Sequence, residues 1–270
     1  GPRAPAEPSV EVVGTGAGAS RPTVGDTMVH WDLERLLAED PAVQRPVKCI
    51  VANEKALESG QRYVDADLNR VFPGDADAEA HERRLAHDLA REIQGCTTLA
   101  LHSTQSTPKP MGVIRSVDEV ARAIYPRLPV DIIVETDSHT DGRLIEYPHT
   151  IEVECGLQGT EAAADNGYNL VRAFLAATGA LPTPGSTGRL DTPAPERVDV
   201  FRLRQPIPKP AGDSYDVLVE NFELVTEGTA FAAVDGEPLY AESDFYPVLL
   251  SPNGYEDIFG YVSEQAGEVV

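Results

Sequence analysis

Lysine is scarce in this 270-residue chain, with four (Lys48, Lys55, Lys109, Lys209), as are cysteine, methionine and tryptophan, with three, two and one. Three cysteines (Cys49, Cys96, Cys155), an odd number without any CxxC spacing, argue against a disulfide framework and fit buried free thiols in a reducing cytoplasm. No apolar run approaches the roughly 20 residues that a membrane span needs. The opening GPRAPAEPSV has no signal-peptide core, which makes a soluble, cytoplasmic protein the expectation. Positive charge is also short: 22 Lys and Arg face 44 Asp and Glu, a net charge of -22. Such a balance repels nucleic acid and anionic membrane, so neither is expected as a partner. The carboxylates run along the whole chain instead of forming a tail, as on a halophile's surface, where a Debye length of about 3 Å at molar salt screens their repulsion. An ordinary acidic surface is the alternative.

What is present reads as α/β. Strand-like runs at Val47 to Ala52, Thr98 to Leu101, Asp131 to Val134 and Thr150 to Val153 alternate with helical patterns, which predicts a central sheet flanked by helices. Leu85, Leu89 and Ile93 recur every four residues, Ser116 with Glu119 has capping-box spacing, and Leu170, Val171, Phe174 and Leu175 form an apolar face ending near Gly179. From Pro182 to Pro195 the composition turns to Pro, Gly, Ser and Thr, and short runs rich in Val, Phe and Tyr follow, split by Asp235-Gly236 and Asn253-Gly254. The expected organisation is one large domain over 1–181, a linker over 182–196 and a small β domain over 197–270.

Chemistry concentrates in three places. The first is Arg62-Tyr63-Val64-Asp65-Ala66-Asp67-Leu68-Asn69-Arg70-Val71-Phe72, a loop soon after a strand. Arginine's planar fork suits a bidentate grip on a carboxylate, and α/β proteins hold ligands beyond the carboxyl ends of their strands. A solvated turn with internal Arg–Asp pairs is the competing reading. The second is His102, in Leu101-His102-Ser103-Thr104 at a strand's end, where imidazole serves as a zinc ligand or as a structural group. The third is Glu152-Val153-Glu154-Cys155-Gly156, where alternation sends both glutamates to one side of the sheet.

In this order and spacing the three segments resemble the succinylglutamate desuccinylase/aspartoacylase family, over Asn53 to Gly179 and again over Pro238 to Tyr255. The resemblance implies a zinc carboxypeptidase-like central mixed sheet flanked by helices, a small C-terminal β domain, and hydrolysis of the amide bond of an N-acyl amino acid or similar acylated amine. It implies one zinc ion per chain held by two histidines and a glutamate, with an open position for water. His102 matches one histidine and Glu154 the carboxylate that carries the proton. Arg62 matches the residue supporting the oxyanion, and Asn69 and Arg70 those holding a substrate carboxylate. Asp67 orients the arginines, and Tyr255 reaches in from the β domain. A homo-oligomer is compatible with all of this.

The chain departs from that family at its first metal motif. The family opens with a strand, a Gly-rich turn and H-G-x-E, yet no HxxE precedes residue 80 here. Met28-Val29-His30-Trp31-Asp32-Leu33-Glu34 is the nearest substitute, and His30 and Glu34 would share a helical face as ligands or would be a cap and a surface charge. A second alignment puts Gly16 to Ser20 there, with no ligands. The stretch Gly14 to Gly25 is poor in branched apolar residues, so a short, displaced or missing first strand is expected. Three functions therefore compete: a zinc deacylase, a metal-free homologue that binds small carboxylates, and a zinc carboxypeptidase acting on peptides.

Overall fold

The structure is a computed structural model that describes residues 10–14, 36, 38, 39, 41–139, 143–182 and 194–270. Twelve strands fall among the described residues: β1 (Val10–Gly14), β2 (Val47–Val51), β3 (Thr97–Thr104), β4 (Met111–Ile114), β5 (Ile132–Glu135), β6 (Thr150–Leu157), β7 (Val198–Pro208), β8 (Tyr215–Val217), β9 (Ala230–Val234), β10 (Glu237–Tyr240), β11 (Tyr246–Val248) and β12 (Ile258–Val269). Four α-helices accompany them: α1 (Glu54–Ser59), α2 (His81–Glu92), α3 (Glu119–Ile124) and α4 (Glu161–Ala177).

Nine strands form one mixed sheet in the order β11-β12-β7-β5-β4-β6-β3-β1-β2, and β10-β9-β8 form a small antiparallel sheet. Strands β2, β1, β3 and β6 run parallel, while β4 lies antiparallel to β6. The expected α/β architecture with a small β unit is what folds. The segment beyond residue 197 supplies both sheets, because β7, β12 and β11 extend the central one. Residues 183–193 of the expected linker lie outside the described residues.

Period-two alternation sorts the central strands by face. Leu99, Leu101, Ile151, Val153 and Cys155 point into a core with Leu170, Val171, Phe174 and Leu175 of α4, the apolar face anticipated there. Ala100 points the other way, into a second core with Leu68, Phe72, Ala86 and Leu89, where α2 backs the loop of residues 62–72. That second face carries the chemistry.

The first strand is short and displaced, two of the expected alternatives: it starts at Val10, ahead of the Gly-rich stretch, and its last residue, Gly14, is register-paired with Leu101, immediately before His102. One sequence expectation needs correction. The cap of α3 is Asp118 and not Ser116: the Asp118 carboxylate accepts the N–H of Ala121 at 2.8 Å, placing a charged acceptor against the helix's exposed donors.

Candidate active site

The loop from 62 to 72 is held in place by its neighbours. Asn53 caps α1 by accepting the N–H of Ala56, and its amide donates to Glu82 of α2 at 3.0 Å. Glu82 then accepts the backbone N–H groups of Val64, Asp65 and Ala66 at 2.5, 2.9 and 3.1 Å. This carboxylate, fully buried, draws the loop against the helix. Burial alone would raise its pKa, but the four donors outweigh that and hold it at about 2.

Arg62, Asp67, Asn69, Arg70, His102, Glu154 and Tyr255 all line one cavity of about 940 Å³, so the fold brings together seven residues singled out in the sequence. Arg62 donates twice to one Asp67 oxygen, at 3.1 and 2.6 Å, while the other Asp67 oxygen accepts the N–H of Asn69 at 3.1 Å. Asp67 thus ties Arg62 to the short turn that carries Asn69 and Arg70. The buried Asn69 amide accepts from the Leu144 N–H at 3.0 Å and points its nitrogen at Glu152, 3.5 Å away. Arg70 donates to the carbonyl of Asn69 at 2.6 Å.

His102 is 4% exposed, and burial lowers its pKa against the opposing pull of Glu152, which favours a neutral imidazole. Its Nε2 stands 3.4 Å from Glu152 Oε2. Register pairs His102 with Glu154 across the parallel strands, and Glu152, two residues earlier, shares that face. Burial and the neighbouring Glu152 charge push the Glu154 carboxyl up to about 8, while Arg143, Arg62 and Arg70 pull it down. Glu154 Oε2 is enclosed and has no hydrogen-bond partner. Tyr255 sits edge-on to Tyr261, with centroids 6.0 Å apart, and burial pushes its hydroxyl up to about 12. Lys209 secures the loop carrying it, donating to the carbonyls of Pro252 and Tyr255 at 2.8 and 2.5 Å.

Two participants escaped the sequence reading. Arg143 lines the cavity from the turn before Leu144; burial would lower its pKa, but Glu152, Tyr255, Tyr261 and Glu154 outweigh that and raise it. Glu152 lies on the side of the sheet that alternation predicts, and no motif in the sequence gives it a task. His30 and Glu34 lie outside the described residues.

Whether zinc suits this cavity can be judged from its donors. An enclosed oxygen without a partner, an imidazole and a second carboxylate stand on one wall, and nitrogen and oxygen donors of this kind suit zinc. Among the described residues no group of three or more His, Cys, Asp or Glu is arranged to hold an ion by itself, and His102, Glu152 and Glu154 supply donors of the type zinc takes but not a complete set.

The mixed sheet, the arginine-lined cavity beyond its parallel strands and the small β unit define an α/β protein with the fold of the solved structures named below. Residues 24–122 match the family model described as the succinylglutamate desuccinylase/aspartoacylase catalytic domain, and the resemblance seen in the motifs is to that family. The fold matches the product-bound ectoine utilization protein EutE (DoeB) of Ruegeria pomeroyi at a TM-score of 0.71, with 17% identity over 98% of this chain and 86% of that one. It matches a succinylglutamate desuccinylase/aspartoacylase of Rhodobacter sphaeroides at 0.70, with 16% identity over 97% and 87%. Murine aminoacylase 3 matches at 0.66, with 19% identity over 97% and 98%. No curated protein matches the chain.

Proposed function

We propose that the chain is a zinc-dependent deacylase that cleaves the amide bond of a small N-acyl amino acid. The observation that carries this reading is the half-buried Glu154, with its Oε2 enclosed and unpartnered, in a cavity lined by Arg62, Arg70 and Arg143. A carboxyl with a raised pKa is suited to taking a proton from water and passing it to the leaving amine near neutral pH. Arg62, held by Asp67, is placed to donate to a developing oxyanion, and Arg70, Arg143 and Asn69 to grip the carboxylate of the amino acid. Tyr255 adds to the cavity wall from the loop between β11 and β12.

His102 is the metal ligand in this reading, with His30 and Glu34 as the candidates from the first motif. Bound zinc would supply an acidified water and polarise the acyl carbonyl.

The test is a panel of N-acyl amino acids beside peptides with free C-termini, run on the zinc-loaded chain and on Glu154→Gln. Release of free amino acid by the parent, lost by about 10²- to 10⁴-fold in Glu154→Gln with zinc retained, is the expected result. Turnover of peptides alone would make the protein a carboxypeptidase. A folded, zinc-loaded chain that binds N-acyl amino acids without turning them over would leave only carboxylate binding.

A further inference from the structure

Glu152 is the buried charge in the cavity to which the proposed reaction gives no task. It is 2% exposed, and its Oε2 lies 3.4 Å from His102 Nε2 and 3.5 Å from Asn69 Nδ2. Both separations exceed the roughly 2.7–3.2 Å of an ordinary N–H···O bond, so neither His102 nor Asn69 gives the carboxyl a full-strength hydrogen bond. The same 3.4 Å fits a different geometry. Two ligands bound tetrahedrally at about 2.0–2.1 Å from one zinc ion are about 3.3–3.4 Å apart. Glu152 and His102 also face the same side of neighbouring strands, and Glu154, whose enclosed Oε2 has no hydrogen-bond partner, lines the same cavity.

We infer that Glu152 is a carboxylate ligand to zinc beside His102, in the place the first motif would assign to Glu34. This rests on the zinc reading above and divides the labour of the two glutamates: Glu152 binds, and Glu154, two residues on, stays free to carry protons. The competing role for Glu152 is to orient the imidazole without touching the ion.

The full chain is stripped of metal and titrated with zinc against a chromophoric chelator, alongside Glu152→Gln and Glu152→His. Outer-shell partners of ligands cost about 10- to 100-fold in metal affinity, so a ligand lost in Glu152→Gln should cost more than about 100-fold. Glu152→His returns a donor of similar reach; it should keep one zinc and show one more imidazole than the parent by X-ray absorption. Far-UV circular dichroism of the metal-free proteins checks folding, and Glu152→His decides if Glu152→Gln does not fold. A loss below about 100-fold in a folded Glu152→Gln, or an unchanged imidazole count in Glu152→His, overturns the inference while leaving the deacylase reading intact. A parent chain that binds no zinc overturns both.

Discussion

The Glu82 clamp gives a prediction whose size follows from the structure. Its carboxylate collects three successive backbone N–H groups and the Asn53 amide, and the loop so held carries Arg62, Asp67, Asn69 and Arg70. Its pKa falls from 4.5 to about 2 on folding. At 1.36 kcal/mol per pH decade that drop is worth about 3 kcal/mol. Because the folded pKa is the lower one, this stability is fully present above about pH 5 and is lost as the pH falls towards 2. Glu82→Gln removes the charge and turns an NH₂ group towards donors that need an acceptor. The parent should therefore be about 3 kcal/mol more stable than Glu82→Gln at pH 7, and the gap should close between pH 5 and pH 2. Urea unfolding at constant salt, repeated across that range, measures it without changing the ionic strength. A gap below about 1 kcal/mol at pH 7, or one that persists undiminished at pH 2, would refute the reasoning.

Arg143→Ala should raise KM for N-acyl amino acids with a free carboxylate by about 10- to 100-fold, the worth of one charge-assisted hydrogen bond, and barely change KM for the corresponding methyl esters. Equal effects on acid and ester would remove Arg143 from carboxylate binding. Gly112→Ala should destabilise the fold by about 1–3 kcal/mol, because a Cβ there would run into the fully buried Tyr125 ring, whose hydroxyl donates to the carbonyls of Val113 and Glu152. Urea unfolding checks this, and an unchanged midpoint would contradict the packing.

The half of the site legible in the sequence is the half whose residues sit together in the chain or at the ends of strands. Two arginines, two aspartates and an asparagine within nine residues mark the loop, the position of His102 late in a strand-like run puts it near the sheet's carboxyl edge, and alternation puts Glu152 and Glu154 on one face. Arg143 gave no such signal: it is a single cation in a polar turn, identical in sequence terms to any solvated arginine. Glu82 was hidden for a different reason. In His81-Glu82-Arg83-Arg84 it reads as the solvated face of a helix, and its burial arises only when residues 64 to 66 fold back onto the start of α2. The central sheet shows the same limit, since β7 and β12 look like strands of a separate unit until their pairing, and that of β7 with β5, is known.

Charge ties these features together. On a chain of net charge -22, an anion meets a repulsive field almost everywhere, so a site for one has to be built from cations gathered where the surrounding carboxylates cannot cancel them. The cavity does this with arginine, which stays charged when partly buried, whereas a buried lysine readily loses its proton. Arg62 is committed to Asp67, but among the described residues no carboxylate forms an ion pair with Arg70 or Arg143. Those two guanidinium groups line the cavity, and under the proposed function they favour an anionic substrate. On the proposed function, anion selectivity is thus a property of a few cavity-lining arginines, carried against the charge of the whole.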